Sequence, residues 1–343
     1  MDVEDPGMPP LRRRMALVVG LLLLSPVCAE YLIGYDQIIG RPLELLGGLL
    51  ILAPLYGTVA VLIREAVRRT GRGWPAIVLL SAAFGLVQAG LIDQSLFNPD
   101  FVDEPSWDRD RLPTHIPELG LSAKYLLVFV AGHVIWSFGA PIAVIEACAP
   151  RYAARPWLGR TGIATMVVLY GLAAAIIFRE HTRDFMASPA QLGTTAAIAV
   201  LLVVAAFVLP RRPAPAPAAA PGRVPPPWLV GCGGVVLWGT HQFAPASWTG
   251  VVLDALALVL AAAGLLRYSR RRGWNHRHIL AASGAALVVN SALAFVVEPL
   301  GETSYPVKYT VNAVLLLGVL LLLALIDLRL RRSKETVAPA GRI

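Results

Sequence analysis

The sequence predicts an all-α fold, a polytopic transmembrane helical bundle of about ten spans with both termini cytoplasmic. Three observations carry that reading. Hydrophobic residues make up 56% of the 343-residue chain and charged residues only 15%, with a mean hydropathy of +0.64; a soluble domain carries roughly a quarter charged residues. The apolar residues gather into runs of about 20, the length that crosses the hydrocarbon core as a helix, without the alternation of a membrane barrel. Arginine sorts to one side of those runs.

The spans are expected at 15–34, 44–63, 75–96, 124–147, 159–178, 190–209, 228–245, 248–266, 279–297 and 309–327. The first follows Arg12, Arg13 and Arg14. Its apolar core and Val27-Cys28-Ala29 also resemble a signal peptide, although the run continues to Ile33. Between the third and fourth spans lies a long loop, Asn98 to Ser122, with six carboxylates from Asp100 to Glu118. That cluster is a place to attract cations, against the plainer reading of a solvated loop. Arg72-Gly73-Trp74 and Arg272-Gly273-Trp274 precede two spans of the same direction, a faint echo that a basic boundary with an interfacial Trp also explains.

The chain divides into a cytoplasmic N-terminal segment 1–14, a six-span membrane region 15–209, a Pro/Ala-rich cytoplasmic linker 210–227, a four-span region 228–327 and a basic cytoplasmic tail 328–343. Of the 30 Lys and Arg residues, 23 fall at the termini and in alternate gaps. The other side holds seven: Arg41, Arg109, Arg111, Lys124, Arg179, Arg183 and Lys308. This is the positive-inside pattern. It accounts for the net charge of +8 by topology and by anionic lipids of the bilayer at the cytoplasmic face, so no nucleic-acid partner is expected. Cys28, Cys148 and Cys232 lie in or beside apolar runs without metal-type spacing and read as small buried hydrophobes.

Ionisable and amide groups inside spans are costly and mark function or buried pairing. Counted along each helix, Gln88, Asp93, His133, His241, Asp254 and Asn290 lie in the central and outer half of the membrane, with Asn312 and, at span ends, Glu30 and Glu298. The inner half is almost wholly aliphatic, with Glu65, Glu146 and Asp327 at its cytoplasmic edge. One polar stratum predicts a shared, outward-facing pocket around His133; separate interhelical hydrogen bonds are the plainer alternative. In the fourth span, α-helical spacing puts His133, Trp136 and Ser137 on one face. The candidate intramembrane polar site is therefore Gln88, Asp93, His133, Trp136, Ser137, His241, Asp254 and Asn290; no catalytic residue, metal ligand or cofactor is assigned.

Gly71-Arg72-Gly73-Trp74-Pro75, Phe84-Gly85-Leu86-Val87-Gln88-Ala89-Gly90-Leu91 and Ser95-Leu96-Phe97-Asn98-Pro99 resemble a group of uncharacterised prokaryotic polytopic membrane proteins. In that group Glu-Glu-Gly-Leu usually stands where this chain has Gln88-Ala89-Gly90-Leu91. Phe129-Val130-Ala131-Gly132-His133 is also similar to the Phe-x-x-x-His motif of the CPBP (Abi) intramembrane metalloproteases. That family's Glu-Glu-x-x-x-Arg motif is replaced here by Gln88, Ala89 and Asp93, and its third His motif is not evident, because His181 is followed three residues on by Asp184 and four on by Phe185. The resemblance implies a catalytically degenerate member, since an amide cannot take the proton from an attacking water.

Three functions follow. The first is a non-catalytic bacterial plasma-membrane protein binding a ligand or partner at the His133 pocket. The second is a secondary transporter using His133, His241 and Asp254 for proton coupling. The third is an active hydrolase drawing carboxylates from Glu30, Asp93 or Asp254.

Overall fold

The computed structural model describes residues 10–211 and 222–335, so most of the Pro/Ala-rich linker, the first nine residues and the end of the basic tail lie outside the described residues. Its long helices, which we label in chain order, are α1 (Leu11–Tyr31), α2 (Pro42–Arg69), α3 (Trp74–Ile92), the short loop helix α4 (Pro105–Arg111), α5 (Ala123–Cys148), α6 (Arg160–His181) and α7 (Pro189–Val208). They continue with α8 (Pro227–Phe243), α9 (Trp248–Ser269), α10 (His276–Leu293) and α11 (Tyr305–Glu335). The only strands among the described residues are β1 (His115–Ile116) and β2 (Leu121–Ser122), a two-residue antiparallel pair in the long loop.

Eight of these helices are long and apolar enough to cross a membrane: α1, α2, α3, α5, α6, α7, α9 and α11. The segments expected as seventh and ninth spans do form helices, α8 with 17 residues and α10 with 18, but neither joins that set. For α8 the limit is length. In α10 the first turn is His276-Arg277-His278, which dilutes an otherwise apolar helix.

Local chemistry sets the helix ends. Proline at the first or second position starts α2, α3, α7 and α8, where its missing N–H costs nothing. Ser188 and Asn275 close capping boxes on α7 and α10, and Ser247 caps α9. Gly71, at φ +67°, supplies the left-handed turn between α2 and α3.

Four spans depart from α geometry in their interiors. Residues Val27–Tyr31 of α1, Ala53–Gly57 of α2, Gln88–Ile92 of α3 and His133–Gly139 of α5 are π-helical. In α1 and α2 a proline stands at or beside the π turn, Pro26 and Pro54. Pro26 leaves the Leu22 carbonyl without its usual donor, and Gly57 of α2 packs directly on that carbonyl; a Cβ at 57 would run into it. The two helices thus meet backbone to backbone where both ladders are irregular.

The main core packs α1, α2 and α3 against α5 and α6 through residues such as Leu21, Leu55, Val61, Ile77, Phe138 and Ile142. A second cluster, including Val144, Ala286, Leu287 and Ile326, joins α5 to α10 and α11. The start of α1 and the end of α2 meet the 149–158 loop: Arg13 lies over Tyr152, and Arg64 reaches the loop backbone. Sequence reading ends the second span at 63, yet the helix runs on to Arg69 and draws its charges inward. Arg64 is wholly buried and donates to Glu146, Glu65 and the carbonyls of Tyr152 and Ala153. Arg68 makes a two-pronged bond to Glu146, at 2.8 and 2.7 Å, and Glu65 accepts from the backbone N–H groups of Trp157 and Leu158. The Arg64 guanidinium lies 3.4 Å from the centre of the Trp157 ring. Buried charges survive only when paired and fully hydrogen-bonded, and this network meets that condition while tying α2 to α5 and the loop after it.

Candidate functional site

The π turns deliver the polar residues. Gln88 opens the π turn of α3, His133 opens that of α5, Glu30 lies in that of α1 and Tyr56 in that of α2. Such turns are rare and recur at functional sites because they redirect a side chain without breaking the helix. Here they converge. The Tyr56 and His133 rings stand 5.8 Å apart, and Phe84 is 5.6 Å from His133 on another side. Gly85 lets α3 approach α5 beside the His133 Cβ.

The carboxylate of Glu30 accepts from the hydroxyl of Tyr35. Gln88 Nε2 donates to Asp93 Oδ2 at 2.9 Å, and the Ser95 N–H donates to Asp93 Oδ1 at 2.9 Å. His133 Nδ1 is 2.6 Å from the Phe129 carbonyl oxygen, so it must donate and the neutral ring presents Nε2 as a bare lone pair. That Nε2 and Gln88 Oε1 are buried and have no protein partner. Gln88 and Asp93 are thus joined by a hydrogen bond, and His133 stands against Tyr56 and Phe84.

Two anchors that sequence reading missed hold this geometry. Gln94 follows Asp93 at φ +57°, a left-handed conformation uncommon outside glycine. Its fully buried amide is fixed by the Ala187 N–H at 2.7 Å and Met186 Sδ at 3.4 Å. Tyr35 is presented by the turn at Gly34, whose φ of +69° and lack of a Cβ let it pack on Asn312 and Ala294. Below that turn Lys308 and Asn312 both donate to the Ala294 carbonyl. Burial and the neighbouring Glu30 carboxylate push the Tyr35 phenol well above its ordinary value near 10, which keeps it a hydrogen-bond donor.

The remaining predicted residues form a second group. Trp136 does not share a face with His133: its Nε1 donates to the Ala286 carbonyl of α10 at 2.9 Å, and its ring stacks on His241 at 5.4 Å. A π turn closes over five residues instead of four, so the spacing of three that aligns side chains on an α-helix separates them here. The Ser137 carbonyl accepts from Ser25 of α1 at 2.6 Å. His241 Nδ1 meets Asp254 Oδ1 at 2.6 Å, both side chains almost wholly buried, and His241 Nε2 has no protein partner. Asn290 accepts from Gln242. Glu298 is exposed at the loop. No group of three or more His, Cys, Asp or Glu side chains among the described residues is arranged to hold a metal ion.

Next to the His133 group, sharing Phe129, is a cavity of about 330 Å³ lined by Tyr35, Phe101, Trp107, Tyr125, Phe129 and Asp110, among others. The long acidic loop builds it: α4 lays Trp107 on Tyr125, with ring centres 4.4 Å apart, and the Ser122 and Thr114 hydroxyls fasten the base of the loop. Tyr35 and Phe129 belong to both places, since one holds Glu30 and the other holds His133.

The sequence model of an uncharacterized membrane protein family matches residues 18–263, from α1 into α9, a stretch that includes both polar groups except Asn290. No curated protein matches the chain, and no solved structure does.

Proposed function

The chain belongs to this uncharacterized membrane protein family, and from that premise we propose that it is a non-catalytic, multi-pass binding protein whose pocket around His133 opens to the outside. One observation carries the reading: π turns in four spans carry Glu30, Tyr56, Gln88 and His133, and leave an imidazole nitrogen and an amide oxygen buried without a protein partner, near an aromatic cavity that Tyr35 and Phe129 line. Unsatisfied buried polar atoms are costly, so a fold that keeps them points to a ligand.

Arginine sorting orients the molecule with its basic end in the cytoplasm, against anionic lipid, and the acidic loop outside, in a bacterial plasma membrane. In this reading α8 and α10 complete ten spans, since 17 and 18 residues reach across a core that needs about 17–25. CPBP ancestry is part of the same reading. The Phe129-to-His133 motif lies on α5, packed against α3 at Gly85, and Gln88 of α3 offers an amide where a base would be needed, which favours binding over hydrolysis.

A transporter reading draws on the His241–Asp254 pair, a carboxylate-oriented imidazole able to pass a proton. Against it, the path from the site to the arginine face is filled by Phe84, Phe138 and Ile142 and closed by the Arg64–Glu65–Glu146 network.

The test is sidedness. In a variant with its three native cysteines replaced, His133→Cys and Ser106→Cys should each react with a membrane-impermeant thiol reagent from the outside only. Reaction from the cytoplasmic side, or at Ser106→Cys alone, would overturn the outward pocket.

A further inference from the structure

We infer that the pocket binds an organic ammonium ion, a small amine whose charged head meets Glu30 and Asp93 and whose apolar body lies in the aromatic cavity. This rests on the outward-facing reading above and adds the class of ligand.

Hydrogen-bond inventory comes first. Glu30 and Asp93 supply carboxylate oxygens, Gln88 an unpartnered Oε1 and His133 an unpartnered Nε2. The donors facing them are neutral: one phenol, one amide and one backbone N–H. The site therefore has a surplus of lone pairs. Gln88 is 2% exposed, so water outside the protein does not relieve its oxygen.

Charge comes second. Glu30 and Asp93 are half-buried, and neither takes part in any ion pair found among the described residues. The fully buried carboxylates among the described residues each have a cationic or imidazole partner: Glu65 and Glu146 their arginines, Asp254 its histidine. An intramembrane carboxylate left with neutral partners is expensive, and a ligand bearing positive charge and N–H donors offsets both deficits at once.

The cavity supplies the rest. Tyr35, Phe101, Trp107, Tyr125 and Phe129 give it aromatic walls, and such faces attract ammonium groups as well as apolar bodies. Asp110 is the one charged residue lining it; Lys124 approaches Asp110 only to 3.8 Å, Arg111 is engaged by Asp108, and Arg109 is exposed. About 330 Å³ accommodates a molecule of roughly ten heavy atoms, at the small end of ligand pockets. A carboxylate or phosphate ligand would face repulsion from three acids, and a neutral one would leave the charge unmatched.

The experiment uses the full chain in lipid nanodiscs and four probes: 2-phenylethylammonium, the neutral 2-phenylethanol, the anion phenylacetate, and potassium chloride. The ammonium probe should raise the thermal midpoint and slow thiol labelling of Ser106→Cys at least five-fold, while the other three do neither. Glu30→Gln and Asp93→Asn should each weaken its binding at least ten-fold by calorimetry. If either of these variants fails to fold, Asp110→Asn and Trp107→Phe should weaken binding several-fold in the same assay. Equal effects of the alcohol, a stronger effect of the anion, an effect of potassium alone, or carboxylate variants that bind like the parent would overturn the inference. Outside labelling of His133→Cys with no ammonium binding would overturn the ligand class and leave the outward pocket standing.

Discussion

Tyr35 hangs the His133 group from the loop above it, and its phenol is held protonated by burial and by Glu30. The sign of its pH effect follows. A tyrosine pKa raised by folding contributes stability that is complete below the unfolded value near 10 and is lost as pH rises towards the folded value. Thermal midpoints from about pH 8 to about pH 11 should therefore fall more steeply for the parent than for Tyr35→Phe. Parallel curves would show that Tyr35 is not tied to Glu30. Gln94 makes a related point about reading residues singly. Its identity suggests an exposed turn after an apolar run, yet its buried amide is what keeps Asp93 turned towards Gln88.

At the level of elements, the spans were legible because hydropathy and length are properties of the local sequence. Depth along each span likewise put Gln88, Asp93 and His133 in one layer, and a hydrogen bond joins the first two. The π turns were not legible. They add one residue to a hydrogen-bonded ring, and nothing in Gln-Ala-Gly-Leu-Ile or His-Val-Ile-Trp-Ser distinguishes that ring from an α turn. Trp136 was accordingly placed beside His133, whereas it turns to His241. Glu30, weighed as a span end and as a carboxylate for hydrolysis, is instead the acceptor of the Tyr35 hydroxyl. The contact of Gly57 with the Leu22 carbonyl is the most sensitive joint between these elements. Gly57→Ala should cost about 1–3 kcal/mol by overpacking and lower the thermal midpoint, with loss of the Glu30 arrangement; an unchanged midpoint would mean that α1 and α2 are free to separate there.

Across the whole molecule, polarity is divided between two ends with opposite treatment. Near the arginine face four buried charges are paired: Arg64, Arg68, Glu65 and Glu146 satisfy one another and the 152–158 backbone. At the other end Glu30 and Asp93 meet only neutral groups. Sequence position could not separate these cases, because arginines following an apolar run read as lipid-facing charges whether or not the helix draws them in. Removing one member of the paired network should be severe. Glu146→Ala strands two guanidinium groups and should cost about 3–5 kcal/mol, read as a lower thermal midpoint and faster protease cleavage within residues 149–158. A variant as stable and as resistant as the parent would show the network to be incidental.

The four π turns have a genetic consequence. Each holds one residue more than a regular α ladder needs, so each is one codon away from an uninterrupted helix. Loss of a single codon in α3 or α5 would keep the span long enough for the membrane while swinging Gln88 or His133 out of register with its partners. A lineage could thus shed or regain this polar centre in single steps without rebuilding its bundle, and length changes of one residue inside these spans, rather than substitutions at the polar positions, are where its history should be sought.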